Sequence, residues 1–582
     1  MRPAGSDIGR EMRENKTKAC RRIWLGLSVL LCVLRNFSGA QEKAPEPPED
    51  KPFPLFYSSD APFREAIAGT TIKPPGVPVT GLTLPHHALA LDLIAEGLAL
   101  AVGGDYERII IISPDHFRRG KTAGSTADRD FLTVMGRIRT DKAAAKKLAG
   151  HPLLSLSSLA SHEHGFRAIL PLVAGWFPDI PVLTIAIGIR TTPEEWKGLA
   201  EAIEPFFTEK TLLIQSTDFS HYLTASVARE KDAETLRILA LEDPDLVNGL
   251  HQPDHIDSKA AQWIQMTLQK KRGSRLTVVN NRNAAAYVPA HEPEPRETTS
   301  YVTQAYSPDI IPSKGLPGKT WYLGGDFHLG RTLAEKIHEP RALDFLEKRM
   351  QYLTGGAPLI LNLEGVLSES PRDPATLHPM QIVMPAKETL ELFHRWNVAA
   401  VVLANNHTLD LGVEGYAATK QLLGASGITV IEDKARVHFP EFDLYAATDV
   451  HNRPEPEIDR LRSTDLPLRE DKTFPQIAFF HWGQEYRPET TARQHWLTRA
   501  ARESGFDLIT GCHPHVPSTG WTGADSALVY PSLGNLLFDQ IEEQRGGTLL
   551  ELRFFEQGTF ATRLIPVGNL YREWMKSQVG GK

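Results

Sequence analysis

Five apolar runs in the second half of the chain end on residues that bind metals or move protons. Thr320–Leu323 leads into Gly324-Gly325-Asp326-Phe327-His328, and Pro358–Leu361 into Asn362-Leu363-Glu364-Gly365. Val398–Leu403 leads into Asn405-Asn406-His407-Thr408-Leu409-Asp410, and Gln476–Phe480 into His481-Trp482-Gly483. Phe506–Ile509 leads into Gly511-Cys512-His513-Pro514-His515. One such residue is an ordinary turn residue at a sheet edge; five in succession point to a shared task. A two-metal hydrolytic site needs this mixture, because ions roughly 3.5–4 Å apart require a bridging carboxylate, neutral nitrogen ligands and room for a bridging hydroxide. Residues two apart share one side of an extended segment, which pairs Asp326 with His328 and His513 with His515. Glu364 is the natural bridge and Asn406 offers a carbonyl ligand. The adjacent His407 is placed to donate a proton to a leaving oxygen or to steady charge there.

The first half repeats the pattern more sparsely. Val79–Leu84 ends in Pro85-His86-His87, Arg108–Ile112 in Ser113-Pro114-Asp115-His116, and Thr211–Gln215 in Ser216-Thr217-Asp218-Phe219-Ser220-His221-Tyr222. In open α/β sheets the C-terminal strand ends line the ligand crevice, so three strands deliver histidine to one rim.

Short β-branched runs alternate with longer amphipathic segments in both halves, the pattern of βαβ units and mostly parallel sheets. Proline-rich, charged stretches at 41–54 and 291–318 read as a spacer and a linker. The expectation is two α/β domains on a flexible tether, at 55–290 and 319–570, with a tail at 571–582. At the N-terminus, Lys16, Lys18, Arg21 and Arg22 precede the apolar run Ile23–Leu34 and the small residues Ser38-Gly39-Ala40. As a helix that run rises about 18 Å, too short for a hydrocarbon core of roughly 30 Å. Residues 1–40 therefore read as a secretory signal peptide, with an uncleaved anchor as the alternative. The chain is expected outside the cytoplasm, periplasmic or extracellular, or held at the membrane by that anchor.

With 64 basic and 71 acidic residues the net charge is −7, which provides no overall basic field for nucleic acid. At 41% hydrophobic residues the chain is rich enough for real cores and is not largely disordered. Of the three cysteines, Cys20 and Cys32 fall in the signal segment, leaving Cys512 and excluding a disulfide framework.

Residues 55–290 resemble the Memo family (the AmmeMemoRadiSam system protein B type), which shares its fold with class III extradiol dioxygenases. The resemblance rests on Phe56-Tyr57, Pro85-His86, Pro114-Asp115-His116, Glu163-His164 and Ser216–Tyr222. It implies an open, mixed or parallel sheet. It also implies a metal on two histidines and a cysteine, here His86 and His116, with His164, Asp218 and His221 around the pocket. The family cysteine should fall near Ile256-Asp257-Ser258-Lys259, and none is there. Asp257 is then either its replacement, giving a facial two-histidine, one-carboxylate set for iron where cysteine would favour copper, or the N-cap of the helix beginning there. Gly165 and Arg167 stand where the family carries serine and glutamate.

Residues 319–545 resemble the CapA family, linked to poly-γ-glutamate capsule synthesis and related to calcineurin-like metallophosphoesterases. The most specific stretches are Asn405–Gly412, His481–Tyr486, Gly511–Val516, Ser532–Asn535 and Phe538–Gln540. The resemblance implies an α/β sandwich with Asp326, His328, Glu364, Asn406, His481, His513 and His515 holding two divalent ions (Mn, Fe, Zn or Mg). Asn406, His407 and Asp410 are the implied catalytic residues. Cys512 departs from a histidine common in relatives. The expected function is a metal-dependent hydrolase acting on a phosphoester or on an anionic polymer such as poly-γ-glutamate, alongside capsule-synthesis machinery at the membrane. The alternatives are a non-catalytic polymer-binding or assembly factor, and a Memo-type redox protein.

Overall fold

The histidine-bearing runs of the first half become neighbouring parallel strands. Across their sheet the order is Arg275–Asn283, Thr298–Ser307, Gly81–Leu84, Thr211–Ser216, Arg108–Asp115, Val182–Gly188, Gly124–Thr126 and Leu154–Leu156, and the short His221–Leu223 strand pairs with Thr298–Ser307. Ile109 and Ile111 face one core with the helices Leu91–Ala99 and Leu170–Trp176. Ile110 and Ile112 face another, with the helices Lys142–Leu148, Pro193–Ile203 and Lys259–Lys271. Successive side chains point to opposite faces, and helices cover both, so the strand reads as an unbroken apolar run. The computed structural model describes residues 51–579 apart from 340, 371–376, 379, 453–459, 470, 472–473 and 523–526. The expected export signal and residues 41–50 of the spacer lie outside the described residues. Among those described, no helix is long and apolar enough to cross a membrane.

The second domain has two sheets face to face. One runs Thr429–Ile431, Val398–Val402, Leu359–Leu363, Lys319–Phe327, Gly547–Phe554 and Phe560–Gly568, with Asn535–Leu537 also pairing with Lys319–Phe327. The other runs Ala435–His438, Asp443–Thr448, Gln476–His481, Leu508–Cys512 and Leu528–Tyr530. Leu323, Ile360 and Val402 meet Leu444, Ile477 and Phe479 between them. The helices Ala342–Thr354 and Ala386–Arg395 cover the outer face of the first sheet, and Ala492–Glu503 covers that of the second. The result is four layers, helix–sheet–sheet–helix. Parallel pairing puts the ends of Lys319–Phe327, Leu359–Leu363, Gln476–His481 and Leu508–Cys512, which carry the chemistry, at the C-terminal rims of the two sheets.

Two boundary expectations need correction. Residues 298–307, read as linker, form an interior strand of the first sheet, antiparallel to both Gly81–Leu84 and Arg275–Asn283. The stretch Thr298-Thr299-Ser300-Tyr301-Val302-Thr303 is β-branched and aromatic, but the prolines and glutamates before it dominate the composition. The expected tail instead contributes to the helix Leu570–Val579, whose Trp574 is fully buried.

The two domains are also in contact. A hairpin formed by Gly547–Phe554 and Phe560–Gly568 carries Phe555 and Ala561 into a cluster with Leu236, Val278, Val302 and Tyr306 of the first domain. Beside it the buried Arg563 donates to Thr277 Oγ1 at 2.6 Å and to Glu551 Oε2 at 2.6 Å. This contact takes the place of the flexible tether expected from composition.

Candidate metal centres

In the first domain, His86, His116 and His164 bring ligand nitrogens within 4.8 Å of one another. Each of the first two has one nitrogen engaged from behind. Ser216 Oγ donates to Gly165 O at 2.6 Å and lies 3.2 Å from His86 Nδ1, so it accepts from Nδ1–H and Nε2 is the nitrogen turned to the pocket. Glu163 Oε1 lies 2.6 Å from His116 Nδ1 and acts the same way. A carboxylate or hydroxyl behind a ligating histidine fixes its ring orientation and raises its basicity. Both Nε2 atoms face Asp257 Oδ2, at 3.1 Å for His86 and 3.4 Å for His116.

Asp257 is not the cap of the following helix. Ser258 is, accepting from Ala261 N. Asp257 is held by Asp218 instead: each donates its backbone N–H to the other, to Asp257 Oδ2 at 3.2 Å and to Asp218 O at 3.1 Å. Asp257 Oδ1 is buried and finds no hydrogen-bond partner among the described residues. Burial resists ionisation of Asp257, but His86 and His116 outweigh it and hold the carboxyl well below its usual range. Burial likewise opposes the charge on His116, yet Asp257 and Glu163 carry it up to about 10. His164 is pushed down to about 2 by burial and by its two histidine neighbours. These groups stabilise positive charge at the point where the two Nε2 atoms and Oδ2 converge, so the residues fit a cation.

Asp218 Oδ1 accepts from His86 N at 2.9 Å and its Oδ2 lies 3.7 Å from His86 Nε2, so it both supports the ring and borders the pocket. His221 Nδ1 is buried without a partner among the described residues. Gly165 marks a tight approach: a Cβ there would lie 2.0 Å from Ser113 Oγ, so any side chain at this position requires Ser113 to turn away.

The second centre is denser. Three overlapping groups each bring their ligand atoms within 4.8 Å: Asp326, Glu364 and His515; Glu364, His481 and His513; Asp326, His481 and Cys512. Glu364 is common to the first two, as a bridging residue must be. Its Oε1 lies 4.0 Å from both His481 Nε2 and His407 Nε2. Asn406 Oδ1 approaches His481 Nε2 at 2.7 Å, and Asp326 Oδ2 approaches His515 Nδ1 at 3.2 Å. The loop supplying two of the histidines is held in the left-handed region, with φ of 96° at His513 and 59° at His515. Non-glycine residues adopt that conformation at a cost, and functional sites are where such strain collects. Gly325 allows the strand to pass close to Gly534, whose carbonyl accepts from Asp326 N at 2.9 Å; a Cβ at Gly325 would lie 1.9 Å from that oxygen.

Two atoms here are orphaned. Glu364 Oε2 and His513 Nδ1 are buried without hydrogen-bond partners among the described residues. Leaving such groups unpaired costs about 1–3 kcal/mol each, more if charged. Burial and the nearby Asp326 push the Glu364 carboxyl well above its usual range. Burial holds His513 down to about 4. His515 is carried up to about 9 against its burial, by Glu364 and Asp326. Two buried carboxyl groups beside three imidazoles are a donor set that divalent ions bind.

His407 sits at the edge of this cluster, its Nδ1 2.8 Å from Asp410 Oδ2 and its Nε2 4.0 Å from Glu364 Oε1. Asp410 Oδ2 also accepts from Ile382 N at 2.6 Å, which fixes the pair. His328 is the exception. Its Nδ1 accepts from Gly330 N at 2.7 Å, and its Nε2 faces Asp539 Oδ1 at 3.3 Å and Arg331 Nε at 3.1 Å. Both nitrogens are engaged away from the ligand groups. The strand ends at Phe327 after a register shift between Leu323 and Asp326, so the two-residue spacing no longer places Asp326 and His328 together. Cys512, read in the sequence only as a departure, brings Sγ to 3.3 Å from His481 Nδ1.

Residues 85–290 match the family model described as Memo-like protein, and residues 320–431 and 452–540 match that of bacterial capsule synthesis protein PGA_cap. Among curated proteins, the chain is 25% identical over 293 residues to the PGA biosynthesis protein CapA of Bacillus subtilis (strain 168), covering 45% of this chain and 73% of that protein. It is 32% identical over 88 residues to the capsule biosynthesis protein CapA of Bacillus anthracis, covering 15% of this chain and 21% of that one. It is 25% identical over 154 residues to a MEMO1 family protein of Thermotoga petrophila, covering 26% of this chain and 55%, about half, of that relative.

Proposed function

Because the chain joins a Memo-like domain to a bacterial capsule synthesis domain, we propose that it is an exported factor of capsule or poly-γ-glutamate biosynthesis. Its second domain hydrolyses a phosphoester or an anionic polymer with two divalent ions. The observation that carries this reading is the pair of groups sharing Glu364, with its orphaned Oε2 beside the orphaned His513 Nδ1. Asp326, Glu364 and His515 would hold one ion, and Glu364, Asn406, His481 and His513 the other. Such ions supply a hydroxide nucleophile near neutral pH and stabilise charge on the substrate. His407 presents Nε2 at the edge of the cluster, and Asp410 holds its ring through Nδ1, which orients it to serve the leaving oxygen.

A second reading, a polymer-binding factor without turnover, is favoured by the withdrawal of His328, which leaves the Asp326 side one ligand short. Metal analysis of the purified chain separates the two, followed by a screen against generic phosphoesters and poly-γ-glutamate. About two ions in the second domain with metal-dependent turnover supports the hydrolase. Bound ions with no turnover on either class supports the binder. For the first domain the reading is one ion, iron or copper, on His86, His116 and Asp257 with His164 beside them, serving redox chemistry.

A further inference from the structure

A polar path leads from the second domain's hairpin to the histidines of the first. Gln557, in the turn between Phe554 and Phe560, donates through Nε2 to Asp232 Oδ2 at 3.0 Å and to Asn281 Oδ1. Thr559 Oγ1 donates to the same Asn281 oxygen at 2.5 Å. Asp232 is fully buried on the helix Ala225–Leu239. Its Oδ1 accepts from Ser220 Oγ at 2.7 Å, and its Oδ2 also accepts from Asn281 Nδ2 at 3.1 Å. Ser220 lies two residues from Asp218, whose carboxylate accepts from His86 N and whose backbone is doubly bonded to Asp257.

A buried carboxylate is held in place by its donors, and each donor removed leaves an oxygen short of a partner in a region water does not reach. One donor to Asp232 comes from the other domain. We propose that Gln557 is a positioning residue for the first domain's metal centre, so that docking of the second domain completes the support beneath His86 and Asp257. The inference rests on the metal reading of the first domain given above. Groups behind metal ligands change affinity about 10–100-fold when removed, and Gln557 stands one step further back, so about tenfold is expected.

The test uses the full chain with Glu364→Gln and His481→Ala, which together break all three ligand groups of the second centre, titrated with Co(II) and followed by its visible absorption. Gln557→Leu should weaken Co(II) binding about tenfold and shift the bands. Ser220→Ala, which cuts the path from the other side, should do the same. The double variant should be no weaker than the weaker single variant, since both cut one path. Unchanged affinity and bands in Gln557→Leu, or additive losses in the double variant, would overturn the proposal. Should Gln557→Leu fail to fold, unchanged binding by Ser220→Ala overturns it equally. Absence of Co(II) binding in the parent chain overturns the metal reading itself, and the proposal with it.

Discussion

Glu551→Gln removes a charge buried beside the contact between the domains, where it holds Arg563, and keeps its shape. Glu551 is buried between Arg553 Nη2 at 2.9 Å and Arg563 Nη2 at 2.6 Å, and accepts from Ser313 Oγ at 2.5 Å and Tyr322 OH at 3.0 Å. Burial alone would raise its pKa, but Arg563 and Arg553 outweigh it and hold the carboxyl at about 2, against 4.5 when unperturbed. A folded pKa below the unfolded one stabilises the protein above about pH 4.5 and is lost as pH falls toward 2. The difference corresponds to about 3 kcal/mol at neutral pH, of which about 2 kcal/mol is gone by pH 3. Removing the charge also leaves two buried guanidiniums short of a partner, a change that typically costs about 3–5 kcal/mol. Urea unfolding of both proteins at pH 7 and pH 3 measures the gap. It should be about 3 kcal/mol or more at pH 7 and shrink by about 2 kcal/mol at pH 3. A gap that does not change with pH refutes the claim that the arginines hold this carboxylate ionised.

Glu364→Gln should lower the metal content of the second domain from about two ions toward one, because Glu364 joins the Asp326–His515 group to the His481–His513 group. His407→Asn should keep both ions and lose turnover, and elemental analysis beside a phosphoesterase assay distinguishes the two outcomes. Asp257→Ala should abolish metal binding by the first domain with its circular dichroism unchanged, since Ser258 and not Asp257 caps the helix; unchanged stoichiometry would remove Asp257 from the centre. A fragment 52–292 should be insoluble or readily proteolysed, whereas 52–309, which retains the strand Thr298–Ser307, should be measurably more resistant. Equal resistance would show that this strand is dispensable.

The strand ends were legible in the sequence because parallel strands covered on both faces read as unbroken apolar runs, and the residue that ends each run is then at the rim. Asp326, Glu364, His481, His86 and His116 follow such runs, and each lies at or within two residues of a strand end. His328 was not readable, because its position depends on where the strand stops and on Asp539, which is distant in the sequence and near only in the fold. The strand Thr298–Ser307 carried its own β-branched signal but sat among prolines and glutamates. The positions of Ser216 behind His86 and Glu163 behind His116 come from the pairing of the strands Gly81–Leu84 and Thr211–Ser216 and from the start of the helix His164–Arg167, and although both residues lie in the motifs, their pairing with these histidines is set only by the fold. Cys512 was visible only as an odd residue; its nearness to His481 comes from the pairing of two parallel strands, His481 with Cys512.

The hairpin contact has a consequence for synthesis. Gln557 and Phe555 are made about 250 residues after Ser307 closes the first sheet. At roughly 5–20 residues per second, the first domain waits on the order of 12–50 s before its partner surface exists. During that interval Val278, Val302 and Tyr306 have no Phe555 to pack against, and Asp232 lacks its last donor. A nascent chain in that state presents an apolar patch beside a buried carboxylate, the kind of surface that chaperones hold and proteases sample. Ribosome pausing or truncation between the two domains would therefore leave a first half that is degraded or sequestered, so that the chain delivers both centres together or neither.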